Sequence, residues 1–174
     1  MSLLPAHFNA QLTALALATA LFAPAAPAQT TPSTSPPQQL RGSTLDGKTF
    51  DLQALRGKVV MVVFWSTDCA VCRDKMPELR ANVKGWMGQP FELVSVSTDR
   101  QRSNALTYTQ LVNATVPANQ RFTTLWTGES QYRDSFGTPG QLPAAYLLDK
   151  TGQLVEQYHG RIPPEAWDRI ADLL

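Results

Sequence analysis

The sequence predicts an α/β fold, and three observations carry that prediction. Val59-Val60-Met61-Val62-Val63-Phe64 is an unbroken apolar run, mostly β-branched, which is how a strand buried on both faces of a sheet reads. Met76, Leu79, Val83 and Trp86 follow at spacings of three, four and three, one face of an amphipathic helix that ends near Gly88. Phe91 to Ser97 then alternates, with Phe91 and Leu93 to one side and Val94 and Val96 to the other, as a second core strand would.

The remaining elements follow in chain order. Asp46-Gly47, between Leu45 and Phe50, predicts a small hairpin with a tight turn ahead of the first core strand. Residues 102–112 form a helix of weak pattern. Within 113–136 the expectation is a short strand over Phe122 to Trp126 and a short helix over Glu129 to Phe136. Ala144 to Asp149, Lys150-Thr151-Gly152 and Gln153 to His159 read as strand, turn and strand. A last helix begins at Pro163-Pro164-Glu165, with proline in its first turn and Trp167, Ile170 and Leu174 as its apolar face. No internal repeat is present.

A length of 174 residues suits one domain with a tail. The 15 Lys+Arg and 14 Asp+Glu nearly cancel, which excludes the basic surplus of a dedicated nucleic-acid binder. All of these charges lie from Arg41 onward, and residues 1–40 lack Gly and Cys but hold six of the 13 prolines. Leu12 to Phe22 is apolar yet shorter than the ~20 residues a bilayer requires. It is followed by Ala26-Pro27-Ala28, a small-x-small site, so residues 1–28 read as a secretory signal peptide cleaved near Ala28, although no Lys or Arg precedes the apolar run. A disordered tail or an uncleaved anchor is the competing reading. Without a cysteine near the site, lipid is not attached through one. Residues 29–39, polar and proline-rich, are expected to be a flexible linker, and 40–174 the folded domain. The protein is expected to be periplasmic or secreted.

Both cysteines sit in Trp65-Ser66-Thr67-Asp68-Cys69-Ala70-Val71-Cys72, between the buried strand and the amphipathic helix. A helix start offers backbone N–H groups without intrahelical partners and a positive dipole end. A thiolate at Cys69 is favoured there, and the thiolate is the nucleophile of disulfide exchange. Cys72, one turn on, is placed to attack a mixed disulfide on Cys69. Other uses compete. Structural zinc needs four ligands, and outside the leader the only histidine is His159. An inert staple gains more from a longer loop. A peroxidase with one attacking cysteine has no need of Cys72 at this distance. Two thiolates with His159 could hold Cu(I). His159 itself, on an alternating strand, is expected half-buried.

The segment from Val62 to Arg73 resembles the strand and active-site turn of thioredoxin-like proteins. Met76-Pro77-Glu78-Leu79 narrows the resemblance to exported thiol-disulfide oxidoreductases similar to TlpA, ResA and the cytochrome c maturation thioredoxins, with Pro77 at the place of the family's helix-kinking proline. Gly140 to Asp149 resembles the segment that contains the family's cis-proline, and Lys150 to Val155 its terminal hairpin. The resemblance covers about residues 42–174 and implies a thioredoxin-like fold: a central mixed sheet flanked by helices, here with a small N-terminal hairpin extension. It implies a cis bond before Pro143, which with the backbone of Leu142 would shape a groove for extended substrate. Trp65 is expected to pack under the turn and to border that groove.

The chain departs from the family at several positions. Asp68 stands where Trp is common before the first cysteine, and Ala70-Val71 where Pro-Pro is frequent. Val63 replaces the buried Asp of cytoplasmic thioredoxins. Asp99 offers a carboxylate after the second core strand. Asp68, Arg73 and Asp99 are therefore the residues expected to tune thiol acidity, Asp68 against the thiolate and Arg73 for it. Peroxiredoxin-like relatives would carry proline at the position of Val62, and copper-carrying relatives usually separate their cysteines by three residues. The expected function is a disulfide reductase that needs no bound cofactor or metal, acting through Cys69 and Cys72 on client proteins with disulfides or thiols. The expected electron source is a membrane-bound donor, as in cytochrome c maturation, and the chain is expected to be a monomer. The alternative is a Cu(I) metallochaperone.

Overall fold

The computed structural model describes residues 36–174. The leader, its expected cleavage near Ala28 and the start of the linker lie outside the described residues. Strand β1 (Leu40–Ser43) and strand β2 (Thr49–Asp51) form the expected hairpin, with Arg41 opposite Asp51. Gly47 takes φ 84° in the connecting turn, a backbone region that favours glycine. Asp51 caps a 3₁₀ turn, Leu52–Leu55, through its side chain. The end of the expected linker is part of the domain: Gln38 N–H donates to the Gly152 carbonyl at 2.8 Å and Gln39 N–H to Ser135 Oγ at 2.9 Å.

The apolar run becomes β3 (Val59–Trp65), buried at every position, and the second becomes β4 (Phe91–Ser97). Between them α1 spans Ala70–Gly85, with Pro77 inside it. Helix α2 (Arg102–Thr115) outlasts its sequence pattern by one turn and stops just before Val116-Pro117, as the restricted residue before a proline requires. Then come β5 (Thr123–Trp126), β6 (Arg133–Asp134), β7 (Ala144–Leu148), β8 (Leu154–His159) and α3 (Glu165–Leu173), the last with Glu165 and Asp168 at its positive end. The main sheet has the order β5-β4-β3-β7-β8. β3, β4 and β5 are parallel, and β7 runs antiparallel to β3 and β8, so the sheet is mixed.

Strand periodicity divides the core into two layers. Val59, Met61, Val63 and Trp65 face one layer with Cys72, Met76 and Leu79 of α1 and Ala166 and Ile170 of α3. Val60, Val62 and Phe64 face the other with Val94, Val96 and Leu125, closed over by Leu40 of the N-terminal hairpin and Leu52 of the 3₁₀ turn after it. Among the described residues a second, three-stranded sheet of order β2-β1-β6 carries that cover.

The expected helix over Glu129 to Phe136 is absent. The chain turns there and gives β6, whose Asp134 pairs with Leu40 and Arg133 with Arg41. The Asp134 carboxylate accepts from Phe136 N–H at 2.7 Å and Gly137 N–H at 2.9 Å, capturing donors that a helix would have used. His159, expected half-buried, is exposed, because β8 is an edge strand; its ring meets Tyr146 edge-on at 6.2 Å.

Candidate functional site

The C-terminal end of β3, the central strand, delivers the cysteine segment to one end of the sheet. Trp65 is the last residue of the strand, only 2 % exposed, with its ring 5.0 Å from that of Tyr108 on α2. It lies in the core rather than on a groove, because its position on the strand places it on the helix-covered face. The Trp65 carbonyl accepts from Thr98 N–H at 2.8 Å, which joins the ends of β3 and β4. The chain then leaves the sheet through Ser66, Thr67 and Asp68.

That turn is held by a buried carboxylate. Asp99 is 7 % exposed; its Oδ1 accepts from Thr67 N–H at 2.9 Å and Thr67 Oγ1 at 2.6 Å, and its Oδ2 from Ser97 Oγ at 2.7 Å. Trp126 Nε1 donates to the Asp99 carbonyl at 2.6 Å. Asp99 thus stands behind the turn as its anchor. Asp68 is exposed, and its carboxylate accepts from the Ser66 hydroxyl, while Cys69 N–H donates to the Ser66 carbonyl at 3.3 Å. Arg73 is exposed on α1.

Cys69 is the N-cap of α1, and its Sγ accepts from Cys72 N–H at 3.1 Å. The two sulfurs are bonded at 2.09 Å. Their surroundings differ: Cys69 is half-buried, whereas Cys72 is 1 % exposed, packed with Val63 in the helix-covered layer. The side chain beneath the dithiol on β3 is therefore apolar. Across from the cysteines the Leu142–Pro143 bond is cis. Pro143 is buried and its carbonyl accepts from Gly160 N–H at 2.8 Å. Leu142 is half-buried, and its N–H and C=O have no backbone partner among the described residues.

A groove runs beside Pro143, lined by Val71, Asp74, Lys75, Glu78, Arg161 and Ile162. Glu78 Oε1 accepts from Lys75 Nζ at 2.7 Å and from Trp167 Nε1 at 2.8 Å. Burial pushes the Glu78 carboxyl up, but Lys75, the indole N–H and Arg161 outweigh it and hold the group below the usual carboxylate range. The site residues that sequence reading did not single out are Thr67, Ser97 and Trp126 behind the turn and Lys75, Arg161 and Trp167 at the groove. Of these only Lys75, three residues before Glu78 on one helix, carried a local signal. Among the described residues no three His, Cys, Asp or Glu side chains are grouped to hold a metal, and His159 does not join the cysteines.

Comparison with known proteins accords with this geometry. The sequence model of the AhpC/TSA family matches residues 26–166. The thiol-disulfide oxidoreductase ResA of Bacillus thuringiensis (strain Al Hakam) is 28 % identical over 116 residues, which cover 67 % of this chain and 63 % of that protein. ResA of Geobacillus thermodenitrificans is 27 % identical over 123 residues, 71 % of this chain and 67 % of that one. The chain thus spans somewhat less than two thirds of the first relative. Among solved structures, a thiol:disulfide interchange protein of the thioredoxin family from Chlorobium tepidum superposes with TM-score 0.64 at 21 % identity, over 82 % of this chain and 97 % of that one. A putative thiol:disulfide interchange protein DsbE from Chlorobium tepidum gives TM-score 0.59 at 22 % identity, over 78 % and 89 %. The fold is thioredoxin-like.

Proposed function

This chain belongs to the AhpC/TSA family, and from that premise we propose that it is a thiol-disulfide oxidoreductase, exported from the cytoplasm, that reduces disulfides of client proteins. The observation that carries the reading is the unequal exposure of two bonded cysteines at a helix N-terminus: Cys69 half-buried, Cys72 1 % exposed. In the reduced protein the Cys69 thiolate attacks one sulfur of a client disulfide. The client S–S bond breaks, and the departing client thiolate takes up a proton from water. Cys72 then gives up its proton and its thiolate attacks Cys69 Sγ, which releases the second client thiolate. Two electrons pass to the client, and the protein is left with the Cys69–Cys72 disulfide that the structure holds.

The helix N-terminus supports Cys69 as the attacking group, since free N–H groups there favour an anion. The N–H and C=O of Leu142, without a backbone partner among the described residues, support pairing with an extended client segment laid beside Pro143. Similarity to the ResA proteins, which are thiol-disulfide oxidoreductases by name, supports thiol-disulfide exchange. In an oxidising compartment a reducing dithiol needs an electron source, and a membrane-bound donor would fill that role. Among the described residues no helix is long and apolar enough to cross a membrane.

Insulin reduction by dithiothreitol, followed by turbidity, tests the activity. The wild-type protein accelerates it, and Cys69→Ser and Cys72→Ser do not; equal rates with and without the wild-type protein would contradict the reading. Mass spectrometry of the protein from its host tests export: the expected mature chain begins near Gln29, and an intact Met1 or Ser2 terminus would contradict cleavage.

A further inference from the structure

Besides the two cysteines, the chain carries sulfur in Met1 of the leader and in Met61, Met76 and Met87. Met61 on β3 and Met76 on α1 are buried in the helix-covered layer, whereas Met87 is 58 % exposed. Met87 follows Trp86, the C-cap of α1, in the turn that leads to β4. Its N–H donates to the Lys84 carbonyl at 3.3 Å, which fixes its backbone against the last turn of the helix. The sulfur is held as well. Asn119, in the 3₁₀ turn Ala118–Gln120, donates from Nδ2 to Met87 Sδ at 3.1 Å. A thioether sulfur is a weak acceptor with two lone pairs, so this bond engages one of them and leaves the other open to solvent.

We propose that Met87 is a modification site for oxidants of the hydroperoxide class, and that the Asn119 amide sets the handedness of the sulfoxide formed there. The free lone pair of Sδ attacks the outer oxygen of the peroxide. The O–O bond breaks as the S–O bond forms, sulfur gives up two electrons, and the departing oxygen takes up a proton and leaves as water or an alcohol. Because the Asn119 N–H covers one lone pair, oxygen enters on the other side of the sulfur, and one of the two sulfoxide epimers forms in excess. The oxidised side chain stays at the surface, where its added polarity disrupts no packing; the same change at Met61 or Met76 would place a polar oxygen in the core. In the disulfide form no thiol competes for the oxidant, since the two cysteines of the chain are bonded to each other.

The test is treatment of the full chain in its disulfide form with hydrogen peroxide, followed by peptide mapping by mass spectrometry, which reports each methionine separately. The Met87 peptide is then divided and incubated with two methionine sulfoxide reductases, each of which accepts one epimer. In the folded protein Met87 is expected to gain oxygen at least about tenfold faster than Met61 and Met76, and in urea all three are expected to react at similar rates. One epimer of the Met87 sulfoxide is expected to exceed the other by about threefold, the bias that a single weak hydrogen bond can impose. Asn119→Ala is expected to keep the fast oxidation and to bring the two epimers close to equality. A Met87 that reacts no faster than Met61 or Met76 in the folded protein would overturn the site. Epimers in equal yield from the wild type, or the same excess from Asn119→Ala, would overturn the directing role of Asn119.

Discussion

At the scale of single residues, the contrast between Cys69 and its neighbour Asp68 is expected to govern reactivity. A carboxylate next to a sulfur disfavours a second anion, whereas the N–H groups of α1 favour it. The sequence made both influences legible, because Asp68 adjoins Cys69 and an amphipathic helix follows. It did not reveal that the Ser66 hydroxyl donates to Asp68 and so keeps the carboxylate folded onto the turn. That contact brings Asp68 more weight than a side chain free to swing into solvent would have. Asp68→Asn is therefore expected to speed iodoacetamide alkylation of reduced Cys69 about two- to fivefold at neutral pH, and to make the disulfide more oxidising by stabilising the reduced form. Arg73→Ala, at an exposed position, is expected to change the same rate by less than about twofold. An unchanged rate in Asp68→Asn would show that its charge does not reach the sulfur.

At the scale of elements, the active-site turn is a strand-to-helix connection tied to a neighbouring strand. The two strands could be read from their apolar runs and α1 from its periodicity, since those patterns are local. The tie could not, because Thr67 and Asp99 are 32 residues apart and meet only when β3 and β4 align in parallel register. For the same reason the segment after β5 carries no local signal of its strand: β6 exists because β1, near the start of the domain, offers it an edge. Asp99→Ala would leave Thr67 N–H, Thr67 Oγ1 and Ser97 Oγ without their acceptor, and is expected to cost about 2–4 kcal/mol, read as a lowered urea midpoint. Gly128 makes a second check on the same tie. A Cβ there would lie 2.2 Å from the Trp126 ring, so Gly128→Ala must displace the indole that donates to the Asp99 carbonyl. A shifted near-UV circular dichroism signal with a retained far-UV spectrum is expected; an unchanged near-UV signal would show that the ring is not seated as described.

At the scale of the whole molecule, titratable groups bound the pH range of stability. Asp149 closes the β7–β8 turn: burial pushes its carboxyl up, but the Thr151 hydroxyl and the N–H groups of Gln153, Thr151 and Gly152 outweigh that and hold it below the usual range. Glu78 is lowered as well. A carboxyl whose folded value lies below its unfolded one contributes stability above the unfolded value and loses it as pH falls through the folded one. Stability is thus expected to be level near neutrality and to fall below about pH 4, with Asp149→Asn flattening that acid limb. On the alkaline side burial first, then the Glu156 carboxylate, raises the Tyr158 hydroxyl from 10.0 to about 12, so stability is expected to decline as pH rises from the unfolded value through the folded one. Urea midpoints across pH check both limbs, and an acid limb unaltered in Asp149→Asn would contradict the first. The central claim is the division of labour within the dithiol, Cys69 attacking and Cys72 resolving, and trapping with a disulfide-bearing client tests it most directly. Cys72→Ser is expected to accumulate a mixed disulfide through Cys69, visible as a reductant-sensitive adduct by mass spectrometry, and Cys69→Ser to accumulate none; adducts in equal yield from both variants, or from neither, would contradict it.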